Sequence, residues 1–160
     1  MTKKRDGSTV ILFKNDKKEK VFLVLRSDYP VWVTTGGGIE PGETPQKAAI
    51  REAIEETGLK VKLVKKIGMY KGDYISHLFE GRVISGTFKP EYPGCRGKWF
   101  KVDKLPLSMT DWDKGRIADC LNHKGAIFTK RNAPLSIRGN FHLLFLHPIS
   151  TIKYMLKGGK

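Results

Sequence analysis

The chain has 160 residues, and its 30 Lys and Arg outnumber its 16 Asp and Glu to give a formal charge of +14 at neutral pH. That length suits one packed domain, and 39% hydrophobic with 29% charged residues excludes a disordered basic polymer, a collagen-like chain and a coiled coil. The longest apolar stretch, Phe141 to Ile152, is broken by His142, His147 and Pro148 and falls short of the roughly 20 residues that span a bilayer, so no membrane span is expected.

In chain order, MTKKRDGS carries basic residues with no apolar run behind them, which does not read as a secretory signal. Val10 to Phe13 and Val21 to Arg26, separated by the polar KNDKKEK, predict a β-hairpin. Val31 to Thr34 predicts a further strand ended by Gly36-Gly37-Gly38, with GGGIEPGE as a loop. Thr44 is a candidate N-cap and Pro45 suits the first helical position, so a helix is expected from Pro45 to about Thr57, stopped by Gly58. Val61 to Val64, Ile75 to Val83 and Gly97 to Val102 read as strands. Trp112 to Asn122 reads as a second helix, with Ile117 and Leu121 one turn apart. The interleaving of strands and helices without a regular βαβ rhythm predicts an α+β fold, a mixed sheet flanked by helices. One domain over 1–160 is expected, with a core at about 5–124 and a basic extension at 125–160.

Two cysteines, Cys95 and Cys120, supply neither a disulfide framework nor a four-ligand zinc site, which suits a reducing, cytoplasmic compartment. His123, His142 and His147 show no zinc-ligand spacing. The positive charge attracts polyanions in general. Its distribution is more specific, because residues 36–59 carry five acids against two bases inside an otherwise basic chain.

Those acids centre on the predicted helix. Glu52, Glu55 and Glu56 share one face within about a 100° arc, and Ile50, Ala53, Ile54 and Thr57 form the face expected to pack on the sheet. Carboxylates this close repel one another, and a hard divalent cation reverses that penalty. An ordinary solvated acidic face is the alternative for an isolated ExxEE.

From Gly37 the order is five residues, Glu43, seven residues, then Arg51-Glu52-Ala53-Ile54-Glu55-Glu56-Thr57-Gly58-Leu59. This resembles the Nudix box at every fixed position, with Ala53 and Leu59 at its apolar places. Thr35 stands where bacterial relatives usually carry proline. The resemblance implies the Nudix fold, an α/β/α sandwich with a mixed β-sheet, and hydrolysis of a phosphoanhydride in a nucleoside diphosphate-X compound. It implies Mg²⁺, or Mn²⁺, held by Glu52, Glu55, Glu56 and the Gly37 carbonyl. Arg51 would orient a box glutamate, with Glu43 as its partner. The general base would be Glu56 or Glu91, the latter in the loop segment KPEYPGCRG; Glu80 is a weaker candidate because it falls in a predicted strand.

Arg26, at the end of VFLVLR, is a candidate phosphate contact, and Trp32 and Tyr74 are candidate base-stacking residues. Arg26 is equally readable as a surface arginine, and packing is the favoured reading for Trp32 and Tyr74. The extension has no acid in its 36 residues and mixes Lys130, Arg131, Arg138, Lys153 and Lys157 with Phe128, Phe141, Phe145 and Tyr154. It could follow an RNA backbone, or cover the sheet with its apolar side. The expected substrate is a nucleoside triphosphate. A dinucleoside polyphosphate, the 5′ end of RNA, and a non-catalytic nucleotide-binding module are the alternatives.

Overall fold

A computed structural model describes residues 5–131 together with residue 146. The expectations placed on Arg138, Phe141, His142, Phe145, His147, Lys153, Tyr154 and Lys157 lie outside the described residues.

The strands are β1 (Gly7–Phe13), β2 (Lys20–Leu25), β3 (Trp32–Val33), β4 (Thr35–Gly38), β5 (Lys60–Lys71), β6 (Ile75–Ser85), β7 (Arg96–Lys101) and β8 (Phe128–Arg131), with helices α1 (Pro45–Thr57) and α2 (Asp111–Leu121). They form one mixed sheet in the order β3-β2-β1-β6-β5-β8, with β4 on β1 and β7 on β2. β1 runs parallel to β6 and antiparallel to β2 and β4, and β5 runs parallel to β8. The expected first hairpin is therefore present.

β1 shows why the sheet is a middle layer. Its residues are buried on both sides, and the two-residue pleat sends neighbours to opposite cores. Val10 and Leu12 join Phe22, Val24, Ala49, Ala53, Leu59 and Phe79 beneath α1. Ile11 and Phe13 join Val21, Leu23, Leu78, Met109, Ile117 and Cys120 beneath α2. Each fully buried large aliphatic side chain contributes about 1.5–3 kcal/mol. The α/β/α sandwich expected from the sequence is this arrangement of two helices on opposite faces.

Local signals placed α1 as expected. Thr44 Oγ1 accepts from Lys47 N, Pro45 opens the helix, and Gly58 closes it at φ 68° with its N–H on the Ile54 carbonyl. Four expectations change. Gly36 to Gly38 lie in β4, paired with Thr9 to Gly7, because sheet pairing with β1 overrides their turn preference. Ala48, Ala49, Ala53 and Thr57 are the buried positions of α1 while Ile54 is exposed, so the packed face is rotated towards Ala49. Leu121 is also exposed, leaving Ile117 and Cys120 as the anchors of α2. Finally, β8 adds a strand from the stretch expected to be extension. Among the described residues no helix is long and apolar enough to cross a membrane.

Candidate active site

The rotation of α1 sets the site. With Ala49, Ala53 and Thr57 on the sheet, Glu52 and Glu56 flank the packed face and reach β4, while Glu55 points outward with half its side chain exposed. The Glu56 carboxylate accepts the Gly36 N–H at 3.0 Å. The Glu52 carboxylate lies against the Cα of Gly37, where a Cβ would stand 2.3–2.4 Å from its carboxyl atoms. Glycine leaves that space without displacing the Glu52 carboxylate.

Arg51 organises the opposite side. It donates Nε and Nη2 to the two oxygens of Glu43 at 3.0 and 2.9 Å. Its Nη1 reaches Glu52 at 2.9 Å and Glu55 at 3.0 Å, and Nη2 also meets the Gly38 carbonyl at 2.9 Å. This forked guanidinium ties the loop, the helix and β4 together. It holds the Glu43 carboxyl below the usual carboxylate range, assisted by the Glu40 N–H.

Glu56 behaves differently. Burial, opposed by the Gly36 N–H and reinforced by the Glu52 and Glu91 charges, pushes its carboxyl up to about 8. A carboxyl made reluctant to ionise by burial and neighbouring carboxylates is one that a cation would hold ionised. The donors are all oxygen, which fits a hard divalent ion such as Mg²⁺ or Mn²⁺. Among the described residues, however, no three acidic, histidine or cysteine side chains form a ready cage, because Arg51 stands between Glu52 and Glu55.

The remaining candidates divide. Glu91 lies in the exposed loop before β7, near enough to act on Glu56, and Tyr92 bonds to it. Arg26 is paired with Asp28 at 2.9 and 2.6 Å, and its charge also reaches Glu56. Trp32 sits edge-on to Phe100 at 4.6 Å and packs in the α2-side core. Tyr74, in the β5–β6 turn, lies near Arg116, which is buried between Thr9 and Ser76 on the α2 side. Neither aromatic joins the carboxylates under α1. Glu80 is 1% exposed and ion-paired with Lys18 and Arg82, so it is a structural acid away from this site.

Sequence reasoning did not find the parts played by the Gly36 N–H, the Gly38 carbonyl or Tyr92. The glycines carried only a turn signal, and Tyr92 had only its adjacency to Glu91.

The NUDIX domain model matches residues 3–120. The "Putative 8-oxo-dGTP diphosphatase" of Bacillus subtilis is 36% identical over 120 residues, covering 72% of this chain and 79% of the relative. Human diphosphoinositol polyphosphate phosphohydrolase 2 is 33% identical over 100 residues, covering 58% of this chain and 56% of its own length. The chain thus spans little more than half of that relative. Among solved structures, an ADP-ribose pyrophosphatase from Streptococcus suis aligns with a TM-score of 0.62 at 18% identity, over 79% of this chain and 97% of that one. A NUDIX hydrolase from Nitrosomonas europaea aligns with a TM-score of 0.60 at 26% identity, over 74% and 89%.

Proposed function

The chain belongs to the Nudix hydrolase family, and from that premise we propose that it cleaves a phosphoanhydride bond of a nucleoside triphosphate, releasing a monophosphate and pyrophosphate. The observation that carries this reading is the Arg51 clamp, which gathers Glu43, Glu52 and Glu55 while Glu56 is fixed on Gly36. A triphosphate is favoured over other anhydrides by the name of the Bacillus relative, which also points to an oxidised purine.

The family generally uses divalent cations. Here Glu52, Glu55 and Glu56 would hold Mg²⁺ or Mn²⁺, which when bound screens phosphate charge and makes a bound water more acidic. The Gly37 carbonyl expected to join them is instead turned towards Ser8 in the β1–β4 ladder. Arg51 keeps Glu52 and Glu55 within reach of each other and fixes the helix to the box loop through Glu43. Of the two base candidates, Glu91 is favoured. Glu56 is committed to Gly36 and to the cation, whereas Glu91 is an exposed carboxylate on a neighbouring loop, open to water. Arg26, whose charge reaches Glu56, is the candidate phosphate contact.

The test is a substrate panel of oxidised and normal nucleoside triphosphates, ADP-ribose, a dinucleoside polyphosphate and a diphosphoinositol polyphosphate, with products resolved. Metal-dependent pyrophosphate release from a triphosphate, abolished by chelator and by Glu52→Gln, is the expected result. Turnover confined to another anhydride would overturn the triphosphate assignment. No turnover of any member would overturn the enzymatic reading and leave a nucleotide-binding module.

A further inference from the structure

Outside the carboxylate site, the strongest concentration of charge lies along β5. Its twelve residues include Lys60, Lys62, Lys65, Lys66 and Lys71 and no acid. Lys60, Lys62 and Lys65 are all exposed, while Val61 and Leu63 between them turn into the α1-side core. Lys62 and Lys65 are three residues apart, and in a regular strand they would point to opposite faces. A register irregularity between Leu63 and Lys65 corrects this, setting Lys62 across from Arg82 and Lys65 across from Glu80.

Both lysines therefore share the sheet face on which Glu80 is buried. Glu80 is already saturated: Lys18 bonds to Oε2 at 2.7 Å, Arg82 bonds to Oε1 at 2.9 Å, and Lys65 stands 3.9 Å from Oε2. One buried carboxylate meets three cations there, and among the described residues the solvent-exposed Asp16 ion-pairs with Arg82. The surface keeps a positive surplus. This half of the strand is also open: β8 pairs only with Gly68 to Lys71, so among the described strands the edge from Lys60 to Lys66 has no outer neighbour.

We propose that the line Lys60, Lys62 and Lys65 is a binding surface for the phosphate backbone of single-stranded nucleic acid. Lys60 and Lys62 are alternate residues of the strand, and Lys62 and Lys65 stand opposite Arg82 and Glu80, which alternate on β6. Each step is therefore about 7 Å, close to the spacing of successive phosphates in an extended single strand. A single row of ammonium groups follows one backbone, whereas a duplex presents two. Lysines are compact charges that bind phosphate without reading sequence, so the recognition is non-specific. The track starts where α1 ends, since Lys60 follows Gly58 by two residues and Lys89 N–H bonds to the Thr57 carbonyl at 2.8 Å. Edge lysines also keep foreign strands from pairing, and that role by itself predicts no affinity for nucleic acid.

The full chain is titrated with a labelled single-stranded RNA of about 12 nucleotides lacking terminal phosphates, from about 50 to 200 mM salt. Neutralising three phosphates on a single strand predicts a slope of about −2 in log affinity against log salt. Lys60→Gln, Lys62→Gln and Lys65→Gln together should weaken binding about tenfold or more at low salt, and Lys62→Gln alone should flatten the slope by about 0.7. The single variant also serves where the triple one folds poorly. Nucleotide hydrolysis measured in the same samples should be unchanged, so failure of the surface and failure of the hydrolase reading are seen separately. Absence of RNA binding, binding undiminished by the substitutions, or equal binding of a duplex would each overturn the proposal.

Discussion

Arg51 and Glu43 meet through two parallel hydrogen bonds, Nε to Oε1 at 3.0 Å and Nη2 to Oε2 at 2.9 Å, across eight residues of sequence. A lysine has no such fork. Arg51→Lys should therefore keep the charge and lose the geometry, lowering turnover by about 10–100-fold, the usual effect of removing a group that orients ligands. Steady-state kinetics at saturating cation tests this, and turnover within about twofold of the parent would refute the orienting role.

Glu52 offers a thermal test. If it helps to hold a divalent cation, Mg²⁺ at a hundredfold excess over its dissociation constant should stabilise the parent by about 2.7 kcal/mol through mass action. Glu52→Gln should remove most of that shift, with a smaller change in the metal-free melting temperature, where relief among crowded carboxylates offsets the weakened bond to Arg51. Melting curves with Mg²⁺ and with chelator decide the matter. An equal Mg²⁺ shift in both proteins would exclude Glu52 as a ligand.

Gly37→Ala separates activity from stability. The added methyl would land 2.3–2.4 Å from the Glu52 carboxyl atoms, the far end of a flexible side chain rather than backbone. The carboxylate should swing away, with large loss of turnover and little loss of fold. Gly58→Ala is the contrast. Its φ of 68° and a Cβ placed 2.9 Å from Lys89 Cβ predict a cost of about 1 kcal/mol or more in stability. Denaturant unfolding of both variants would show whether this order is right.

His77 gives a pH signature. Burial, helped by the Lys66 charge, lowers its pKa below the usual value, and Nδ1 is buried without a partner. The unfolded chain therefore binds the proton more tightly than the folded one. Stability should be complete above the ordinary histidine pKa of about 6.5 and decline as pH falls from there towards the lowered value. Replacing His77 with Gln should flatten that segment of the curve. An unchanged slope as pH falls below about 6.5 would assign the effect to other groups.

The helix carrying the carboxylates was legible in the sequence because its signals are local: Thr44, Pro45 and Gly58 act within one turn of their own positions. Its rotation was not legible. Ile50 and Ile54 outweigh Ala48 and Ala49 on any hydrophobicity scale, yet the small alanines let the helix approach the sheet and carry Glu52 and Glu56 onto β4. β4 and β8 escaped for a related reason. Their strand character comes from partners far along the chain, Gly7 to Val10 for one and Gly68 to Lys71 for the other. The closeness of Glu91 to Glu56 depends in the same way on how a distant loop is folded back.

β1 also dictates when the molecule can assemble. One of its edges holds β2 and β4, while the other pairs with β6 in a register that joins Gly7 to Ser76 and Phe13 to Arg82. The box and its helix therefore rest on a strand that is only half supported until residues 75–85 arrive. Closing so long a loop is slow and comes before any return in contacts. A growing chain that has already made α1 should accordingly remain open to proteases until β6 has been added, with the carboxylate cluster among the last parts to become rigid.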